Sequence, residues 1–219
     1  MRHKLRLMSI WAVLIVVFIF SFTGCKTTAA ETTAAAEKAE AETTTLSVQE
    51  NGEHNIGDTG PAGGFIFYIN PNYATDGWKY LEAAPSDLPS TDSDGGIQWY
   101  NRTRVEIGAT GTAIGTGMSN TQKIVGIQGN GSYAAKLCSD LTQGGYGDWF
   151  MPSKDELNLM YGNLYLKGIG SFEPDYYWSS SEDVAFNVWY QGFANDRQDS
   201  YENHEGYIYL RVRAVRAFN

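Results

Sequence analysis

The hydrophobic and polar residues are unevenly distributed along the chain, and their distribution predicts three regions. An apolar run covers residues 7–22. Residues 26–49 are mostly Thr, Ala and Glu with almost no large apolar side chains, so this segment cannot bury enough surface to offset the entropy of ordering it. Short periodic apolar groups return from Ile56 onward. We therefore predict a leader at residues 1–24, a disordered spacer at 25–55 and one folded domain at 56–219.

Aromatic and alternating groups predict strands within the domain. Turn-forming residues lead into the apolar group FIFYI at 65–69, and KYLEAAP and IQWY predict two further short strands. After residue 176, YYWSSSE, VWYQGF and YIYLRVRAVRAF are rich in aromatic and β-branched residues, which favour strands. The polar stretch ANDRQDSYENHEG at 194–206 lies between the last two groups, and we interpret it as a loop.

Two segments in the middle of the domain have the spacing and start signals of helices. Ser119-Asn120-Thr121 can cap a segment that runs through KIVGIQ, and SYAAKLCSDL continues with apolar residues at helical spacing. Ser153-Lys154-Asp155-Glu156, directly after Pro152, has the pattern of a capping box. The order of strands, two helices and C-terminal strands predicts an α+β fold.

Charge and cysteine content narrow the range of partners. The chain has 16 Lys and Arg against 25 Asp and Glu, a net charge of −9 that becomes −12 without residues 1–24. This acidic surplus disfavours nucleic acid as a partner, and we interpret Arg211, Arg213 and Arg216 as salt-bridged strand residues. Cys138 is the only cysteine besides Cys25. We therefore predict no disulfide in the domain, with Cys138 as a buried apolar residue.

The N-terminal segment has the layout of an export signal. A basic patch at residues 2–6 precedes the apolar run, which is shorter than the about 20 residues of a membrane span. The run ends in Phe22-Thr23-Gly24-Cys25, which resembles a bacterial lipoprotein signal, although Phe22 stands where Leu is usual. The resemblance implies that Cys25 is acylated and anchors the protein in the lipid bilayer of the cell envelope, at the outer surface. An uncleaved N-terminal anchor helix is the alternative.

Residue types typical of catalytic and metal sites do not form a recognisable set. The three histidines fall in the leader, at the edge of the spacer and in the polar loop, which excludes an ordinary zinc site. The run Ser179–Ser181 has no histidine partner, and we interpret it as strand surface. Asp92 and Asp94 lack the bidentate Glu of an EF-hand loop. We expect no cofactor and no metal.

Two further segments contain residue types that could bind a phosphate or catalyse a reaction. The glycine-rich segment at 107–117 could cradle a phosphate, but no Gly-Lys-Ser/Thr follows it, and a structural loop is favoured. Asp196, Asp199, Glu202 and Glu205 could supply the paired carboxylates of a glycosidase. Their place in a polar loop favours a solvated face instead.

Aromatic side chains are abundant for a domain of this size. Tyr201 and Tyr207 lie in or beside the polar loop, and we expect them to be exposed contacts, since Tyr combines contact area, rigidity and a hydroxyl group. A domain without disulfides needs large core side chains. We therefore expect four tryptophans in the core: Trp99, Trp149, Trp178 and Trp189.

Four segments, GDTGPAGGFIFY, GGYGDWFMPSKDELNLMY, YYWSSSE and RVRAVRAF, resemble the signature of one domain family. The family is named after the C-terminal region of the Legionella collagen-like adhesin, and the segments span residues 57–218. Trp149, Pro152, Glu156 and Leu157 carry much of the resemblance. It implies a C-type-lectin-like fold, in the branch that includes the formylglycine-generating enzymes. Those enzymes use a pair of cysteines that one cysteine cannot supply, so the resemblance implies binding rather than catalysis.

Within this family the chain resembles the Treponema variable-protein type, surface lipoproteins diversified near the C-terminus by a retroelement that randomises adenines in a copied template. An Asn codon randomised in this way can encode Asn, Asp, Ser, Tyr, His, Arg, Ala, Gly, Phe, Val, Ile or Leu, but not Trp, Gln, Glu, Lys or Met. Residues 183–187, 194–197 and 199–204 keep to the permitted set, apart from Glu202, which a Lys codon can yield. The positions between these patches include Trp189, Gln191 and Gln198, which are outside the permitted set.

These patterns predict a variable ligand-binding region at about residues 183–210, on a protein that is not an enzyme. The expected ligand is an unidentified protein or surface macromolecule. A carbohydrate-active enzyme that uses the loop carboxylates and a structural envelope lipoprotein without a specific partner are the alternatives. The expected ligand-binding residues are Asp183, Ala185, Phe186, Asn187, Ala194, Asn195, Asp196, Arg197, Asp199, Ser200, Tyr201, Asn203, His204 and Tyr207.

Overall fold

The computed structural model describes residues 52–91, 95–101, 105–184, 186–202 and 208–219, and the backbone alone of Glu202. No helix among these residues combines the length and the apolar character that a bilayer span requires. Several predictions fall on residues outside these ranges, namely those for the leader, Cys25, most of the spacer, Asp92, Asp94, Ala185, Asn203, His204, Glu205 and Tyr207.

The described chain has a mixed α+β structure with antiparallel sheets. The helices are α1 (Tyr73–Asp76), α2 (Gly117–Gln128), α3 (Ala134–Ser139) and α4 (Lys154–Asn163), and a 3-10 turn covers Tyr165–Lys167. The strands are β1 (Phe65–Ile69), β2 (Tyr80–Ala83), β3 (Ile97–Gln98), β4 (Tyr176–Glu182), β5 (Asn187–Gly192), β6 (Arg197–Glu202), β7 (Tyr209–Leu210) and β8 (Val215–Phe218).

The strands form three antiparallel sheets, ordered β1-β2-β8, β3-β7 and β4-β5-β6. In the first sheet the last strand of the chain pairs with an early one, so that Tyr80 lies opposite Phe218. The ring of His54 packs edge-on against both of these rings, at centroid distances of 5.1 and 5.6 Å. Contacts of the domain reach back to Glu53, whose carboxylate lies 3.0 Å from Lys79 Nζ. The two ends of the domain therefore lie side by side, and its packing begins slightly before the predicted start at Ile56.

Strand β4 separates two parts of the hydrophobic core. Because side chains alternate along a strand, Tyr177 and Trp178 point to opposite faces. Tyr177 packs with Phe193 and with the buried side chains of Leu157 and Met160 in α4 and of Leu164 directly after it. Trp178 packs in a second cluster that includes Trp99 and Cys138, and its indole N–H donates to the carbonyl of Ile97 at 2.9 Å.

Local sequence signals predicted several elements correctly. The groups at 65–69 and 176–182 are β1 and β4, and α4 begins with the predicted capping box: Ser153 Oγ accepts from Glu156 N, and the Glu156 carboxylate accepts from Ser153 N. The predicted cap of α2 is wrong. Asn120 donates to the Gly111 carbonyl and Thr121 to the Gly117 carbonyl, so these side chains serve other contacts and the helix begins earlier.

The interpretation of residues 194–206 as a loop is also wrong in part. Strand β6 occupies Arg197–Glu202 and pairs with the whole of β5, from Gly192 opposite Arg197 to Asn187 opposite Glu202. The polar side chains of β6 lie at the edge of a sheet, where solvent or neighbouring polar groups satisfy them. The backbone groups of β5 provide the pairing partner, which local composition does not reveal.

The serines of β4 are buried, which contradicts the prediction that they form strand surface. Strand β4 is covered on both faces, and the hydroxyls satisfy carbonyl groups of segments that cross it. Ser179, Ser180 and Ser181 donate to the carbonyl oxygens of Trp189, Pro152 and Gly111, at 2.8, 3.1 and 2.7 Å.

The glycine-rich segment at 107–117 directs its backbone amides at two buried carboxylates of the protein itself. Its first part donates two N–H groups to Glu182, over 3.2 and 2.9 Å. Farther along, Gly115 N donates to Glu156 at 2.7 Å. A Cβ atom at Gly117 would lie 2.3 Å from the same carboxylate, which explains a glycine there. The amides of this segment converge on acceptors as those of phosphate loops do, but the acceptors are glutamate side chains of the protein, in agreement with a structural loop.

Ion pairs formed by two buried arginines join the C-terminal strand region to distant loops. Arg213 Nε lies 2.6 Å from Asp87, and its guanidinium carbon lies 3.9 Å from the centre of the Phe172 ring. Arg216 binds Asp148 through two nitrogens, at 2.8 and 3.0 Å, and Glu82 at 3.3 Å. The salt-bridged interpretation of these arginines is confirmed, and their role is to hold the frame.

Candidate ligand-binding surface

The sheet β4-β5-β6 and the β5–β6 turn at residues 194–197 together carry most of the described residues that were predicted to bind a ligand. The register of the sheet places Trp178 opposite Tyr190, and Tyr190 opposite Asp199. Since side chains opposite one another share a face of the sheet, these three lie on one face, together with Tyr176 and Tyr201. We call this the aromatic face.

An open pocket of about 160 Å³ lies on the aromatic face. Tyr176 and Tyr201 are 39% and 43% exposed at its sides, whereas Trp178 is buried. The ring of Tyr190 meets those of Tyr176 and Trp178 edge-on, at 5.5 and 6.4 Å. The strands therefore hold the rings in fixed relative positions. The pocket is lined by Tyr176, Trp178, Tyr190, Tyr201, Ile208 and Leu210.

Polar side chains from the β5–β6 turn lie beside this pocket. Asn195 donates its amide hydrogen to the Tyr176 hydroxyl at 3.3 Å, and Arg197 forms an ion pair with Asp199. The pKa of the Asp199 carboxyl is lowered, first by the backbone N–H of Ser200 and then by Arg197. Burial raises the pKa of the Tyr190 hydroxyl, so this group stays neutral near pH 7. The pocket thus joins an apolar floor to a charged and hydrogen-bonding edge.

The opposite face of the sheet packs against the beginning of α4. Lys154 Nζ lies 4.0 Å from the centre of the Trp189 ring, and Gln198 donates to the Lys154 carbonyl at 3.0 Å. Trp99, Trp149 and Trp178 are buried as predicted. The prediction for Trp189 is wrong: it is half-buried, because its face of β5 is covered by a lysine side chain rather than by the core.

The structure divides the predicted ligand-binding residues into two groups. The turn from Ala194 to Arg197 is exposed throughout, and it reaches the aromatic face together with Asp199 and Tyr201. Ser200 lies on the other face, where its hydroxyl donates to Asp183 at 2.8 Å. The remaining described members, Phe186 and Asn187, are half-buried at the start of β5, and the backbone of Phe186 has a positive φ of 74°.

Five pocket residues were not named among the predicted ligand-binding residues, although the last three lie inside the predicted region at 183–210: Tyr176, Trp178, Tyr190, Ile208 and Leu210. The alternation of Tyr176 and Trp178 in β4 signals that these two rings share a face. No sequence pattern pairs them with Tyr190, because that neighbour depends on the register between β4 and β5.

Asp199, one of the carboxylates considered for glycosidase chemistry, does not suit the role of the general acid. A glycosidase acid needs a raised pKa, whereas that of Asp199 is lowered and its carboxylate is paired with Arg197. No three His, Cys, Asp or Glu side chains of the described residues lie close enough together to hold a metal ion.

A second, larger depression of about 510 Å³ lies along α2. Met118, Thr121 and Val125 line one side, and residues 147–150 line the other. Its acidic group, Asp148, is already bound by Arg216, so this depression has no unpaired acidic side chain among its described lining residues.

No family model matches the chain, and no curated protein is significantly similar to it. These comparisons therefore provide no related protein with which this surface could be compared.

Proposed function

We propose that the protein is an exported, lipid-anchored lipoprotein whose single domain binds a macromolecular ligand through the aromatic face and the β5–β6 turn. The observation that carries this proposal is the combination of a fixed aromatic pocket with an exposed polar turn at its side. Rigid aromatic anchors surrounded by polar groups are typical of protein-binding surfaces.

The separation of frame and surface supports a binding role. Glu82, Glu156, Glu182, Arg213 and Arg216 are all buried and hold loops and strands in place. Side chains of the turn at 194–197 take no part in that network and can be replaced at small cost. A surface fixed in this way loses little conformational freedom on binding, which favours affinity.

A C-type-lectin-like fold is part of the proposal. The mixed α+β composition, the antiparallel sheets and the two adjacent ends of the domain support it. The roles of the residues that carry the family resemblance also support this fold. Trp149 and Leu157 are core residues, and Glu156 completes the capping box of α4. The resemblance to the family therefore concerns residues that build the frame.

Diversification of the surface is supported by where the permitted and excluded residues lie. Ala194–Arg197 belong to the permitted set and are exposed. Gln191 is fully buried and Gln198 binds the Lys154 carbonyl, and neither belongs to that set. These two glutamines, which hold the sheet, are thus of a type that the mutagenesis cannot produce from an Asn codon.

The lipid anchor at Cys25 completes the proposed function, since it would place the binding domain at the envelope behind a long polar spacer.

A display experiment tests the binding role. The codons of residues 194–197 and of Tyr201 are randomised in the full chain, the library is displayed on cells, and binders are selected on purified egg-white lysozyme. We expect binders whose thermal unfolding matches that of the parent. A matched library randomised at five exposed positions, Asn72 and the four residues of α1, serves as the control. Equal yields from the two libraries, or binders that no longer fold, would contradict the proposal.

A further inference from the structure

The pocket on the aromatic face has a size and a chemistry that define the group it accepts. Its volume of about 160 Å³ is close to that of engineered apolar cavities of about 150 Å³ that bind benzene. A single phenyl ring or leucine side chain therefore fits, whereas an acyl chain needs a longer channel. Four of the lining side chains are aromatic, and the other two, Ile208 and Leu210, are aliphatic.

The lining has few polar atoms, and some of these already form hydrogen bonds within the protein. The Trp178 indole N–H donates to the Ile97 carbonyl, and the Tyr176 hydroxyl accepts from Asn195. Among the side chains that the structure describes, no carboxylate, amide or guanidinium group lines the pocket. A sugar ring in this place would lose hydrogen bonds to water without recovering them, which costs more than ring stacking returns. The lining thus selects an apolar group over a carbohydrate.

The charges beside the pocket indicate what should flank that apolar group. Arg197 is paired with Asp199, and Arg211 with Asp175, so both described arginines near the pocket are neutralised by carboxylates. Asp196 is exposed in the same turn, but its carboxylate accepts from Gln191 Nε2 at 3.5 Å and so turns toward the opposite face of the sheet. The charge that remains is that of the chain as a whole, which is −9. This overall negative charge favours a positively charged partner.

We infer that the ligand is a protein, and that the pocket takes one benzene-sized apolar side chain flanked by lysine or arginine. This inference rests on the proposed function, because it names the class of partner for the same surface. A protein surface offers single apolar side chains within a polar setting, and such anchors supply most of the affinity at protein interfaces.

Short synthetic peptides test the inference on the full chain in detergent. The probe has a central phenylalanine flanked by lysines in a serine background. One comparison peptide has alanine at the centre, and another has glutamates as flanks. We expect the alanine peptide to bind at least about tenfold more weakly, since burial of a phenyl group contributes on that scale. The glutamate peptide should also bind more weakly, by a margin that shrinks as salt is added.

Two variants place the peptide on the proposed site. Tyr201→Ser removes one side of the pocket, and we expect about thirtyfold weaker binding of the phenylalanine peptide. Tyr73→Ser removes a tyrosine of similar exposure, 49% against 43%, which lies in α1 outside the pocket, and should leave binding unchanged. Thermal unfolding of each variant establishes that the fold is retained.

Equal binding of the phenylalanine and alanine peptides would overturn the inference, as would unchanged binding by Tyr201→Ser. Tighter binding of methyl glucoside than of the phenylalanine peptide would overturn it in favour of a sugar. If the peptides fail but the display library yields binders through the turn, the proposed function stands and only the partner class is wrong. If both fail, the proposed function fails as well.

Discussion

Replacement of Glu182 tests whether buried carboxylates hold the loops behind the binding surface. This side chain ends β4, directly before the predicted variable region, and is 3% exposed. Its two oxygens accept the backbone N–H groups of Ile107 and Ala109, at 3.2 and 2.9 Å, and both donor residues are buried. Removal of the carboxylate leaves both donors without a partner.

The expected magnitude follows from these two hydrogen bonds. Each buried donor that loses its acceptor costs about 1–3 kcal/mol, so Glu182→Ala should lower the free energy of unfolding by about 4 kcal/mol. Glu182→Gln keeps one acceptor oxygen but turns an N–H group toward the second donor, and should cost about 2 kcal/mol. Either loss is a large part of the about 5–15 kcal/mol that stabilises a typical domain.

Urea denaturation followed by circular dichroism measures both variants against Glu173→Gln. Glu173 is exposed, and its replacement should change the free energy of unfolding by less than about 0.5 kcal/mol. If Glu182→Gln unfolds at the same urea concentration as the wild type, the carboxylate does not hold the loop, and the account of the frame is refuted.

Four further predictions concern the frame, the surface and the anchor. Arg213→Met should lower the free energy of unfolding by about 3–5 kcal/mol in urea denaturation, because it breaks a buried ion pair. Burial raises the pKa of Glu156 from 4.5 to about 7, so this group stabilises the fold fully below pH 4.5 and loses that contribution as pH rises to 7. Denaturant titrations should show the free energy of unfolding of the wild type falling by about 3 kcal/mol over this pH range relative to that of Glu156→Gln. If the unfolding free energies of the two proteins change in parallel with pH, the raised pKa of Glu156 is contradicted. Arg197→Ser and Tyr201→Ser should each shift the unfolding free energy by less than about 0.5 kcal/mol, since both residues are exposed; a larger loss would place them in the frame. Cys25→Ser should abolish incorporation of labelled palmitate and release the chain from the membrane fraction, and persistent labelling would contradict lipidation at this residue.

Elements with strong local signals could be predicted from the sequence. The apolar group at 65–69, the aromatic group at 176–182 and the capping box at Ser153 each specify their conformation within a few residues. The same holds for the α+β composition. These features depend on backbone propensity and on neighbours close in the chain.

Features that depend on contacts between distant segments could not be predicted. Strand β6 is polar along its length and becomes a strand through its pairing with β5. Charged residues are normally exposed, yet Glu82 and Glu182 are buried because amides 18–75 residues away in sequence surround them. The aromatic pocket likewise forms only once β4, β5 and β6 are in register, so the turn residues were predicted and the pocket beside them was not.

The pairing of β2 with β8 has a consequence for how the protein is made. Strand β2 lies between β1 and the last strand of the chain, and Phe218 packs against residues near the start of the domain. At a synthesis rate of about 5–20 residues per second, a ribosome takes roughly 10–40 s to produce a chain of this length, and during that time the first sheet lacks its third strand. The nascent polypeptide therefore cannot complete this sheet before β8 has been synthesised, so the domain stays incompletely folded until then.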